Sequence, residues 1–152
     1  MVKSTGVYAL VLVLHLLTVA FAVGPAAVSA VTSARHVRAG RAQALRAAAS
    51  TTRAYALATL ATVLLGSALV GLGDIGGQWE FSQVWIAASY VLWFVAVGIT
   101  TAVVVPAQLT AADTLDAGQD ANSLARRIAA ASGAVLVLWS AIIVLMVFKP
   151  GA

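Results

Sequence analysis

Few side chains in this sequence could do chemistry, and most of them are neutral. His15 is one of two histidines, and it lies inside an uninterrupted apolar run. Counted inward at about 1.5 Å per residue, it sits roughly 14 Å deep in a membrane-spanning helix. Thr62, Ser67, Tyr90, Trp93, Trp139 and Ser140 fall at a similar depth on the other apolar runs. Such a layer offers hydroxyl, phenol and indole partners to an imidazole, which is costly to bury in hydrocarbon without one. Three uses of His15 follow. It is a hydrogen-bonded structural residue, an axial ligand to haem b, or a copper or zinc ligand. Haem needs a single protein ligand, whereas a metal ion needs three or four. His36 is about 30 Å away along a helix, Met1 and Met146 are the only thioethers, and cysteine is absent. No metal site is therefore expected. Disulfides, thiolate nucleophiles and iron–sulfur ligation are excluded outright.

The elements that position these residues follow from composition. The 152-residue chain is 62% hydrophobic and 9% charged, with a mean hydropathy of +0.99. Soluble domains carry about 25% charged residues, so a soluble enzyme or a disordered chain is excluded. The pI of about 10.1 reflects membrane topology in a chain so poor in charge, and no nucleic-acid partner is expected.

A bilayer core needs about 20 mainly apolar residues per helix. Four runs qualify, at about 6–30, 54–73, 84–107 and 128–148. They are continuously apolar, unlike barrel strands. The expectation is an all-α integral membrane four-helix bundle, antiparallel, forming one transmembrane domain over 1–152. The first and third connections hold seven of nine basic residues: Arg35, Arg38, Arg41, Arg46, Arg53, Arg126 and Arg127. By the positive-inside rule they face the cytoplasm, leaving both termini outside. The expected location is a bacterial plasma membrane. Lys3, the run from Val7 to Val23 and Val28-Ser29-Ala30 imitate a signal peptide. The arginines that follow argue for a retained helix.

No Asp, Glu, Lys or Arg lies within the four runs, which disfavours ion-coupled transport. Wound as a helix, Arg35, Arg38, Arg46 and Arg53 share one side within about 80°. That basic face suits anionic lipid headgroups at about 1 kcal/mol each, or an acidic partner. Small residues four apart (Thr62 and Gly66, Ser67 and Gly71, Ala22 and Ala26, Gly98 and Ala102, Ala129 and Gly133) suit close helix packing. Gly24-Pro25 should kink or end the first helix and Pro106 should end the third. Trp79, Phe81 and Trp85 read as an interfacial aromatic belt.

The first helix, with His15 followed nine residues later by Gly24, resembles that of small bacterial membrane proteins related to the copper-resistance CopD domain. This group includes HemJ-type protoporphyrinogen oxidases and a family of four-helix integral membrane proteins without assigned activity. An arginine-containing connection, Trp85 near the start of the third helix and Pro106 at its end extend the likeness. The resemblance implies a haem ligand at His15. The membrane-proximal Lys of the HemJ type has no counterpart between Lys3 and Lys149, and the extra His and Met residues of copper carriers are missing. The expected role is a non-enzymatic accessory or self-associating membrane protein, with a haem b redox protein second and a small-substrate transporter third.

Overall fold

The bilayer core offers no water to backbone polar groups, so uncharged runs of this length close their hydrogen bonds within helices. The computed structural model describes residues 2–72 and 80–151, with side chains from residue 6 onward. Asp74, Trp79 and the side chain of Lys3 fall outside the described residues. The chain forms α1 (Val2–Thr18), α2 (Gly24–Arg38), α3 (Ala42–Leu72), α4 (Val84–Ile99), α5 (Val105–Asp116) and α6 (Asn122–Phe148). A π turn at Val19–Val23 joins α1 to α2, and another at Thr100–Val104 joins α4 to α5. The six pieces therefore make four rods, each long and apolar enough to cross a membrane. Among the described residues there is no strand.

Rods of 27 to 33 residues are about 40–50 Å long and exceed a hydrocarbon core of about 30 Å. Their ends project, and the arginines cluster at the end where two short turns join the rods, Arg41 within a turn and the others on the flanking helices. Gly40 (φ 64°) and Gly118 (φ 69°) stop α2 and α5 in the left-handed conformation that glycine adopts without strain. In each turn the next N–H reaches back five residues, Arg41 to the His36 carbonyl and Gln119 to that of Thr114. The chain thus reverses at 39–41. Arg35 and Arg38 lie on the first rod, and Arg46 and Arg53 on the second, which corrects the single basic face expected from one continuous helix. Arg46 instead bridges to α5, donating to Asp113 and Asp116 at 2.6 Å each.

Of the two prolines within the rods, Pro106 departs from expectation, and Pro25 follows an irregular turn without ending its helix. Pro106 does not end the third rod, which continues to Asp116. Pro25 does not end the first. Each sits at the start of the α-helix that follows a π turn. A proline has no N–H to donate, and its ring clashes with the carbonyl four residues back. Widening the preceding turn shifts that carbonyl out of register, so the rod goes on.

The arginine end is packed tightly. Leu45, Ala107, Ala111, Ala112, Ala121, Ala125 and Ile128 form a buried cluster with Val37, in which alanines let the backbones approach. At its upper edge lies fully buried Gln108. Its Nε2 donates to Ser33 Oγ at 2.7 Å and Thr52 Oγ1 at 3.3 Å. Thr52 donates to Ser29 Oγ, and Ser29 to the Ala48 carbonyl. Three rods are tied by this one network. Beyond the π turns the bundle parts. There α1 packs on α3 and α4 packs on α6, and the backbones of the two pairs stand apart, bridged by side-chain hydrogen bonds between α3 and α4. Phe21, Phe94 and Phe148 project outward, as lipid-facing side chains do.

Each half of the chain repeats the same devices: a rod with a π turn, a proline, an Ala-Gly stop and a returning helix. Gln108→Ala should lower stability by about 1–2 kcal/mol, read as equilibrium unfolding in detergent. The absence of cysteine makes topology directly measurable. Ser123→Cys should react with an impermeant maleimide only from the cytoplasmic side, and Ser82→Cys only from outside.

Candidate functional site

The parting of the two helix pairs leaves a cavity of about 460 Å³. From the first pair it is lined by Leu12, His15, Thr62 and Gly66. From the second come Trp85, Tyr90, Trp93 and Trp139. Leu16 and Val147, at its margins, are more than half exposed, so the cavity communicates with the lipid-facing surface.

His15 projects from α1 onto α3. Its Nδ1 lies 2.9 Å from the backbone carbonyl oxygen of Thr62. A carbonyl only accepts, so Nδ1 carries the proton and donates. In the neutral ring Nε2 is then left with its lone pair, and it has no partner among the hydrogen bonds of the described residues. The bond requires access to a carbonyl inside a helix, which the residue four positions on normally shields. That residue is Gly66. A Cβ built there would stand 3.1 Å from His15 Cε1 and 3.5 Å from Nδ1. The missing methyl group is the opening through which the imidazole reaches the backbone. Of the glycines in the small-residue pairs, Gly66 alone approaches a neighbour. A Cβ at Gly71, Gly98 or Gly133 would meet nothing within 4 Å.

The remaining sequence candidates divide. Ser67 Oγ and Tyr90 Oη share a hydrogen bond of 2.5 Å between the second and third rods. Trp93 Nε1 donates to Thr59 Oγ1 at 3.0 Å, and Trp139 lines the cavity from α6. Ser140 does not join them. It is exposed, and its hydroxyl closes onto the Leu136 carbonyl of its own helix. Trp85, expected in an interfacial belt, is 6% exposed and forms part of the cavity wall, while Phe81 is exposed. Arg35, Arg38 and Arg53 are exposed at the arginine end, remote from this cavity.

Thr62 supplies its carbonyl to His15, and its hydroxyl remains unused. Thr62 Oγ1 is buried with no hydrogen-bond partner, although Ser67, Ser89 and Thr100 all close onto carbonyls of their own helices. Sequence reading missed Thr59. Its spacing of seven from Thr52, on a face that also holds Leu45, Ala56 and Thr62, is the signal that could have found it. Among the described residues no group of His, Asp or Glu could hold a metal ion.

Gly66→Ala should push the imidazole off the Thr62 carbonyl and cost about 1 kcal/mol. The cost should vanish in a His15→Ala background, a coupling that a double-mutant cycle of unfolding free energies measures.

A family model described as predicted integral membrane protein (DUF2269) matches residues 9–150. No curated protein and no solved structure matches the chain. The span of that match covers all four rods and both turns, and the chain belongs to the DUF2269 family of predicted integral membrane proteins.

Proposed function

We propose that this chain is a non-enzymatic accessory protein of a bacterial plasma membrane that holds an apolar molecule between its two helical hairpins. One observation carries the reading: a cavity of about 460 Å³ opens where α1 and α3 part from α4 and α6. Ligand sites are mainly apolar, of about 300–1,000 Å³, with a few placed polar groups, and this cavity has that make-up. No carboxylate is among the described residues that line it, and a wall of aromatic and aliphatic groups with one neutral imidazole and a lysine at its rim binds rather than catalyses. Its margins reach the lipid-facing surface, so the ligand arrives sideways from the bilayer. The arginine-rich turns would sit among anionic headgroups on the cytoplasmic side.

A second reading has its own observation. An imidazole whose Nδ1–H is fixed by a backbone carbonyl is oriented as metal-bound histidines are. The residues present fit a haem b to that extent. His15 would hold the iron and the tryptophans would enclose the macrocycle, as the likeness of the first helix to HemJ-type proteins also suggests. Bound haem would supply one-electron chemistry.

Solvent extraction of protein purified in mild detergent, followed by mass spectrometry, tests the first reading. An apolar compound should co-purify in fixed stoichiometry and be depleted in Ser89→Trp, which adds an indole at a buried position of the cavity wall. Equal recovery from both proteins contradicts it. A Soret band lost in His15→Ala would instead establish the haem reading, and a colourless preparation made with haem supplied would sink it.

A further inference from the structure

We infer that the cavity is built for a lipid of the quinol class: a hydroxylated aromatic ring on a long apolar tail. This rests on the apolar-ligand reading and adds the head-group chemistry. His15 Nε2 and Thr62 Oγ1 have no hydrogen-bond partner among the described residues. His15 Nε2 presents a lone pair, because Nδ1 spends its proton on the Thr62 carbonyl. Thr62 lines the cavity and carries a buried hydroxyl proton without an acceptor: the residue is 6% exposed, its Oγ1 is closed off and unpartnered, and it does not close onto its own helix as neighbouring hydroxyls do, so a turn of the side chain delivers the proton to a ligand. Leaving such atoms bare in a low-dielectric interior is costly. A ligand hydroxyl both donates and accepts, so one such group serves Nε2 and Thr62 Oγ1 together. A quinone carbonyl only accepts and serves Thr62 alone. Tyr90 and Ser67 already satisfy each other.

The rest of the cavity selects the body of the ligand. Trp85, Tyr90, Trp93 and Trp139 line the cavity with aromatic rings, which suit an aromatic head. Leu16, Val19 and Val147 lead toward lipid and suit an alkyl or isoprenoid tail. Lys149, the only ionised side chain among the described lining residues, stands at the end of α6 with its Nζ 6.0 Å from the Trp85 ring centroid, ten residues or about 15 Å along the helix from Trp139. An anionic head group would therefore be drawn to the rim and not to the seat at His15.

The test uses the whole protein in lipid nanodiscs and reads quenching of tryptophan fluorescence. A decyl-tailed benzoquinol kept reduced, its quinone and its dimethyl ether are titrated in turn. The quinol should bind about tenfold more tightly than the ether, which cannot donate. His15→Ala and Thr62→Val should each bring the quinol close to the level of the ether. The comparison of quinol with ether needs no variant and stands even if a substitution prevents folding. Equal affinities for quinol and ether in the wild-type protein overturn the head-group assignment while leaving an apolar-ligand cavity. Quenching by none of the three overturns both. Haem that binds with a His15-dependent Soret shift and is not displaced by quinol overturns the proposal in favour of the haem reading.

Discussion

The hydrogen bond from His15 Nδ1 to the Thr62 carbonyl is the interaction on which the open half of this bundle depends. Apolar side chains gain nothing by leaving lipid tails for one another, so helices in a bilayer associate through close packing and polar contacts. At the arginine end both are present, in the alanine-rich cluster and the Gln108 network. Beyond the π turns they thin out, and α1 is held to α3 by an imidazole resting on a glycine. The same bond fixes which ring nitrogen is free. Packing and presentation of a ligand atom are thus one event.

The two π turns explain how one bundle can be closed at one end and open at the other. Each rod that contains one leaves regular α-helical geometry at the level where the pairs part, and each turn is followed by a proline that makes a regular α-helix unfavourable there. Tightening the whole bundle would require apposing Trp85, Trp93 and Trp139, whose bulk prevents the close approach that alanine allows below. The cavity is therefore a consequence of side-chain volume distributed along the helices.

Much of this was legible in the sequence, and the failures have identifiable causes. Uncharged length and the clustering of arginine gave four helices, because lipid enforces both. His15 and Thr62 were brought to one level by counting residues, yet the partner atom was misjudged. A side-chain list holds no carbonyls, and the meaning of Gly66 appears only once it stands four residues after Thr62 beneath a ring. Gln108 was read as part of a connection because it follows Pro106. Its flanking alanines at 107, 111 and 112 repeat at helical spacing, and they show that the helix had not ended. Pro106 reads as a stop and Gly24-Pro25 as a kink or a stop, since a π turn leaves no mark in composition.

The most direct test of the account is the tautomer of His15, read by nitrogen NMR on histidine-labelled protein in lipid. His36→Gln leaves His15 as the single histidine, so the signals are assigned without ambiguity. The account predicts a neutral ring protonated at Nδ1, with an unprotonated Nε2 whose signal moves when a ligand fills the cavity. A ring protonated at Nε2, with Nδ1 bare, would contradict the bond to Thr62 and with it the structure of the open half.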